Sequence, residues 1–163
     1  MAKSQSSQTS FTPYDLPAFC VPATLDGTVQ NEDLKGSWTV LFLYPADDTP
    51  ACTLEAKDFS DALPQFQAIG LQVLGLSKDS LKSHERFIQK HSLNVRLLSD
   101  ESLQSIDKLG SWVEKSLYGR KYMGTDRSTF LIDPQGLVRH EWRKVKVKGH
   151  VAEVLQVAKS LLD

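Results

Sequence analysis

The chain lacks any apolar run long enough to cross a bilayer, which sets aside an integral helical membrane protein. It also lacks a dominant charge. Its 19 lysines and arginines nearly balance 20 aspartates and glutamates, so no global field draws it to nucleic acid or to an anionic membrane. Cysteine is scarce. Cys20 and Cys52 are the only two, too few for a disulfide scaffold and without the Cys/His spacing of a zinc site. Residues 1–10 are rich in Ser, Thr and Gln and have no apolar segment of the kind a secretory signal needs. They read as a disordered tail, and the cytoplasm is the expected compartment. In that reducing setting each cysteine is either a small buried hydrophobe or a reactive thiol.

What the chain does have is the pattern of one α/β domain over residues 11–163, with no internal repeat and no linker. Phe19 to Gln30 reads as a hairpin turning at Asp26-Gly27. Trp38 to Tyr44 is a near-continuous apolar run, the mark of a strand covered on both faces. After Pro45, the loop from Ala46 to Ala51 leads into a helix beginning near Cys52, which Pro64 is expected to kink or restart and Gly70 to stop. Leu71 to Ser77 and Val95 to Ser99 read as further strands. Asp79 or Ser80 is expected to cap a helix running to about His91, and Asp100 one running through Lys108. Ser128 to Ile132 and Leu137 to Arg143 form a hairpin around Asp133 to Gly136. His150 to Leu162 is an amphipathic terminal helix. Lys144 to Lys148 alternates Lys with Val and reads as a strand with one solvated face. Alternating strands and helices of this kind imply an α/β sandwich around a central mixed sheet.

The chemistry gathers at Cys52. It stands in the first turn of a helix, just past the C-terminal end of a buried strand, where an α/β sheet opens its crevice. Unpaired backbone N–H groups and the helix dipole at that end favour the thiolate over the thiol. Position alone specifies no reaction. Thr49, three residues earlier, is either a simple N-cap or a hydroxyl within reach of the sulfur or of a small polar substrate. Pro45 and Pro50 either punctuate the loop or stiffen it and shield the sulfur.

The run Tyr44-Pro45-Ala46-Asp47-Asp48-Thr49-Pro50-Ala51-Cys52-Thr53-Leu54-Glu55-Ala56 resembles the P-x-x-x-T-x-x-C signature of the peroxiredoxins. More narrowly, it is similar to their bacterioferritin comigratory protein branch. The likeness continues through Ser83-His84-Glu85-Arg86-Phe87, Leu97-Leu98-Ser99-Asp100, Tyr118 to Gly124, Asp126 to Asp133 and Trp142 to Val145. It implies a thioredoxin-like fold and a thiol-dependent peroxidase for antioxidant defence that needs no metal or organic cofactor. It implies roles as well: Cys52 as the cysteine that attacks the O–O bond, Arg127 as the group that steadies the thiolate and polarises the peroxide, Thr49 as a hydrogen-bond partner of the peroxide, and Pro45 as a shield. Glu55 matches a position expected to orient the arginine, although an exposed helix-face glutamate is as good a reading. Without the resemblance, Arg127 would read as a surface residue paired with Asp126.

The chain departs from that branch at the second cysteine. Five residues after Cys52, where many members carry a resolving cysteine, it has Lys57, and Ser80 to His91 holds none. Cys20 between Phe19 and Val21 reads as a buried strand residue. The expectation is therefore a 1-Cys enzyme acting on hydrogen peroxide and organic hydroperoxides. An external thiol, such as thioredoxin or glutaredoxin with glutathione, would reduce it, and it would work as a monomer. Two alternatives remain: Cys20 as the resolving thiol, or a redox sensor passing oxidation at Cys52 to a partner. A Cys–His hydrolase using His84, His91, His140 or His150 is a poorer fit, since no hydrolase signature surrounds Cys52.

Overall fold

The computed structural model describes residues 11–162; the tail expected over residues 1–10 lies outside the described residues. Six strands form one mixed sheet: β1 (Tyr14–Asp15), β10 (Leu137–Trp142), β9 (Ser128–Ile132), β4 (Trp38–Leu43), β5 (Leu71–Ser77) and β6 (Arg96–Ser99), in that spatial order. β4 runs parallel to β5 and antiparallel to β9. Its central place explains its composition. Successive side chains of a strand point to opposite faces, and here Val40, Phe42 and Tyr44 enter one core while Leu41 and Leu43 enter the other. The first core is closed by α1 (Pro50–Ala68), α2 (Leu81–His91) and α4 (His150–Leu162). The second is closed by the hairpin of β2 (Cys20–Pro22) and β3 (Thr28–Gln30), a 3-10 turn at Asn31–Leu34, and α3 (Gln104–Lys108). This is the thioredoxin-like arrangement, a mixed sheet between layers.

Local chemistry sets the ends of the elements. Pro50 opens α1 with its ring-fixed φ and no N–H to leave unpaired. Gly70, at φ +89°, ends it by donating its N–H to the Gln67 carbonyl. Between them α1 is one continuous helix through Pro64, so the expected restart does not occur. Of the two candidate caps for α2 it is Ser80 that acts, its hydroxyl accepting the Ser83 N–H at 3.1 Å. For α3 the capping position is Leu103 rather than Asp100. The Asp100 carboxylate instead accepts the Ile106 N–H from three residues further back, at 2.8 Å.

Three further readings change. β7 (Trp112–Leu117) and β8 (Arg120–Thr125) form a separate two-stranded hairpin that the residue pattern left unassigned. Residues 144–148 are an irregular loop, because Lys144 takes a positive φ of 49° and its N–H bonds the Asp126 carboxylate instead of a neighbouring strand. Cys20 is exposed, not buried. In β2 it is Val21 that points into the core, so Cys20 and Pro22 take the solvent side of the pleat.

Candidate active site

Thr49 precedes α1 in an extended conformation, with φ −92° and ψ 156°, and its carbonyl receives the Thr53 N–H at 2.8 Å. Cys52 therefore falls at the third helical position, where backbone N–H groups have no acceptor within the helix. Its side chain turns inward, to 1% exposure, beside Tyr44, Ala56 and Phe59. A thiolate buried there needs a cation, and Arg127 supplies one.

Arg127 stands at the head of β9, the antiparallel neighbour of β4. Its Nη2 donates to Cys52 Sγ at 3.3 Å, and its Nη1 donates to Glu55 Oε1 at 2.7 Å. Glu55 is one turn along α1 from Cys52, so both side chains fall on the buried face of the helix. Glu55 is fully buried, not exposed on the helix surface, and Arg127 pairs with it rather than with Asp126. The second carboxylate oxygen, Oε2, is buried without a hydrogen-bond partner. Burial pushes the Glu55 carboxyl up to about 7, against the pull of Arg127. Glu55 and the Cys52 sulfur together outweigh the burial of Arg127 and raise its guanidinium above the ordinary arginine value.

The loop before α1 is tied down by residues that sequence reasoning passed over. Asp47 accepts the Tyr44 hydroxyl at 2.7 Å and the Ser83 hydroxyl at 2.8 Å. Its Oδ2 lies 2.8 Å from His84 Nδ1, and His84 Nε2 lies 2.8 Å from the Leu98 carbonyl. His84 thus bridges the loop and the Leu98 carbonyl through both ring nitrogens, and its contact with Asp47 is buried. Asp48 adds Lys90 at 2.7 Å and His91 at 2.8 Å. Asp47, Asp79 and His84 bring three possible metal-ligand atoms within 4.8 Å of one another. Both His84 nitrogens, however, already face protein acceptors, and Asp79 is engaged by the Ser77 hydroxyl and the Asp47 N–H.

Thr49 and Pro45 belong to the same loop. The Thr49 hydroxyl donates to the Ala46 carbonyl at 3.0 Å, so in this arrangement it neither caps the helix nor bonds the sulfur. Pro45 is half-buried and its carbonyl accepts Lys78 Nζ at 2.7 Å. Among the described residues no histidine nitrogen is bonded to Cys52. His84 and His91 face the loop aspartates, His150 faces Thr129 Oγ1 at 2.8 Å, and the His140 ring packs on Phe11 and Trp142. Cys20 stands apart from all of this. Its neighbours Phe19 and Val21 pack in the second core, across the sheet from Cys52. No helix is long and apolar enough to cross a membrane among the described residues.

Comparison with known proteins identifies the family. The AhpC/TSA family pattern matches residues 14–141. The putative peroxiredoxin bcp of Coxiella burnetii is 46% identical over 139 residues, covering 85% of this chain and 92% of its own. Peroxiredoxin Bcp of Bacillus subtilis is 46% identical over 136 residues, covering 83% and 87%. Among solved structures, a bacterioferritin comigratory protein of Xanthomonas campestris, studied for alkyl peroxide reduction, superposes with a TM-score of 0.85. It shares 36% identity over 89% of this chain and 92% of that one. The chain thus belongs to the AhpC/TSA family and is a peroxiredoxin of the bacterioferritin comigratory protein type, a thiol-dependent peroxidase.

Proposed function

We propose that Cys52 is the peroxide-attacking thiol, that it reduces hydrogen peroxide and organic hydroperoxides, and that an external thiol restores it. The observation that carries this reading is the Arg127 guanidinium, shared between the buried Cys52 sulfur and the buried Glu55 carboxylate. The cation stabilises the thiolate before reaction, and Glu55 holds it in place.

In the first step the thiolate attacks one peroxide oxygen. An S–O bond forms, the O–O bond breaks, and the departing hydroxide or alkoxide takes a proton to leave as water or alcohol. Negative charge moves from sulfur to the leaving oxygen, where Arg127 and the free backbone N–H groups of the first helical turn stand ready to meet it. Thr49 would join them once its hydroxyl turned from the Ala46 carbonyl toward a bound peroxide, and Pro45 limits the approach of water.

Regeneration by an external thiol is supported by the separation of the two cysteines. A resolving thiolate must come within S–S bonding reach, with Cα atoms no more than about 7 Å apart. Cys20 lies in a different layer, with the sheet between. Two external thiols, drawn from a thioredoxin or from glutathione with glutaredoxin, then become one disulfide as the sulfenic oxygen leaves as water. The experiment is peroxide consumption with a thiol donor, together with mass spectrometry of protein oxidised without reductant. The expected results are loss of consumption to background in Cys52→Ser and one added oxygen on Cys52 in the native chain. A Cys20–Cys52 disulfide would overturn the external-thiol reading, and full activity in Cys52→Ser would overturn the whole.

A further inference from the structure

The sequence Lys144-Val145-Lys146-Val147-Lys148 has no part in the site described above, yet it lies directly against it. The Val145 N–H donates to the Arg127 carbonyl at 3.0 Å, and the Lys144 N–H donates to Asp126 Oδ1 at 3.2 Å. The loop is thus fastened to the two residues that set the reach of the guanidinium toward Cys52. Val147 is buried and holds the segment down, which leaves Lys144, Lys146 and Lys148 exposed. Among the described residues no carboxylate lies within ion-pair distance of any of the three ammonium groups. Of the acidic side chains around the loop, Glu141 is paired with Arg143, whereas Asp126 accepts the Lys144 N–H and Glu153 the Trp142 indole, both keeping their charge. Three lysine charges therefore stand on a loop bonded to the Arg127 backbone, against the two carboxylate charges of Asp126 and Glu153.

Such a field acts only on a charged reactant. Hydrogen peroxide is neutral at physiological pH and gains nothing from it. The reductant is different, because the species that attacks a sulfenic sulfur is a thiolate. Cys52 is also 1% exposed, so a slender thiol reaches it more readily than a broad protein surface does. We propose that the lysine loop draws the reducing thiolate to oxidised Cys52, so that this peroxiredoxin selects small thiols carrying negative charge. The step itself balances. The thiolate forms an S–S bond to Cys52 as the S–O bond breaks, and the hydroxide takes up a proton to leave as water. A second thiolate then releases Cys52 as its thiolate, with the two reductant sulfurs oxidised to a disulfide.

This inference rests on the peroxidase reading of Cys52 and is tested apart from it. The second-order rate constant for reduction is measured with peroxide in excess and thiol limiting, for mercaptosuccinate, 2-mercaptoethanol and cysteamine. Their attacking forms carry three, one and no net negative charges. In Lys144→Gln/Lys146→Gln/Lys148→Gln the expected loss is graded: about tenfold for mercaptosuccinate, two- to threefold for 2-mercaptoethanol, and none for cysteamine. Oxidation of Cys52 by hydrogen peroxide should stay within about twofold, since the field does not act on it. The unmodified chain supplies the same test without mutation. Raising ionic strength to about 1 M shrinks the screening length to about 3 Å and should compress the three rate constants in the same order. An equal loss for all three thiols, or no loss for any, would overturn the inference. Failure of hydrogen peroxide to oxidise Cys52 at all would instead overturn the reading beneath it.

Discussion

The two cysteines sit on opposite sides of one sheet and divide its properties between them. Cys20 is open to solvent on a short hairpin, with its neighbours packed in the second core. Cys52 is almost completely covered, yet it has the Arg127 guanidinium at 3.3 Å, the end of a helix behind it and a loop locked around it. Accessibility and chemical provision run in opposite directions here. A thiol becomes a useful nucleophile through groups that hold its negative charge, and those groups need a rigid, partly desolvated setting. On the hairpin side, Asp100, Glu101 and Lys108 line the same surface hollow as Cys20, but among the described residues no cation is hydrogen-bonded to its sulfur.

The sharpest way to break this contrast is to remove the cation. Arg127→Gln keeps the fold and a hydrogen-bond donor but leaves the sulfur without a charge partner. The expected cost is about 10²–10³-fold in kcat/KM for peroxide, read by stopped-flow consumption at fixed thiol. A loss under tenfold would mean that helix position alone provides for Cys52.

The next largest effect concerns the lock on the loop. His84→Leu removes two buried side-chain hydrogen bonds and leaves the Asp47 carboxyl and the Leu98 carbonyl without that partner, at a cost of about 3 kcal/mol. For a chain of this size that lowers Tm by about 10 °C. Thermal unfolding checks it; the Cys20 hairpin is instead tied down by Arg96, which donates to the Thr24 and Asp26 carbonyls.

A smaller effect is a pH slope. In the unfolded chain Glu55 releases its proton near the ordinary 4.5, whereas in the folded chain burial holds the proton to about 7. The folded form binds that proton more tightly. The stability it confers is fully present below about 4.5, falls as pH rises, and is gone above about 7. In Glu55→Gln this component should vanish, flattening the decline between pH 5 and 7.5 by on the order of 2 kcal/mol, as urea unfolding at the two pH values would measure. The smallest effect is expected for Cys20→Ser, which should leave peroxide consumption within twofold and stability within about 0.5 kcal/mol. A larger loss of turnover would give the exposed cysteine a part in the cycle after all.

Much of the fold was legible because it is written in local periods. The apolar run of β4, the helix opened by Pro50 and the hairpin at Asp26-Gly27 all announce themselves within a few residues. Cys52 in a strand–loop–helix junction is equally local. What escaped depends on partners far along the chain. Glu55 and Arg127 lie 72 positions apart, so without the family likeness nothing in either segment points to the other. His84 looked like an ordinary helix residue because Asp47 and Leu98 arrive from different elements. Cys20 was misplaced by one step of a pleat, since a three-residue strand gives too little alternation to fix which face is buried. The Lys/Val alternation at 144–148 imitated a strand because a valine anchors an irregular loop as well as it packs in a sheet. The β7–β8 hairpin did leave a trace in Tyr118-Gly119, a two-residue turn with φ values of 53° and 79° between alternating segments. Its exposed Leu117, Tyr122 and Met123 hid the usual contrast between inside and outside.

Gly75 in β5 carries a consequence for how this sequence can change over generations. A single methyl group there would come within 2.7 Å of both Leu97 Cδ2 and the tip of the Phe42 ring. Phe42 lies flat against Phe59, with ring centres 4.5 Å apart, and Phe59 is the residue one helical turn beyond Glu55. An alanine at Gly75 would therefore press through two aromatic rings onto the helix that presents Cys52 and Glu55. Neutral drift is closed at a position that bears no reactive group, and inherited variation there would read as loss of the enzyme although the catalytic residues were unchanged.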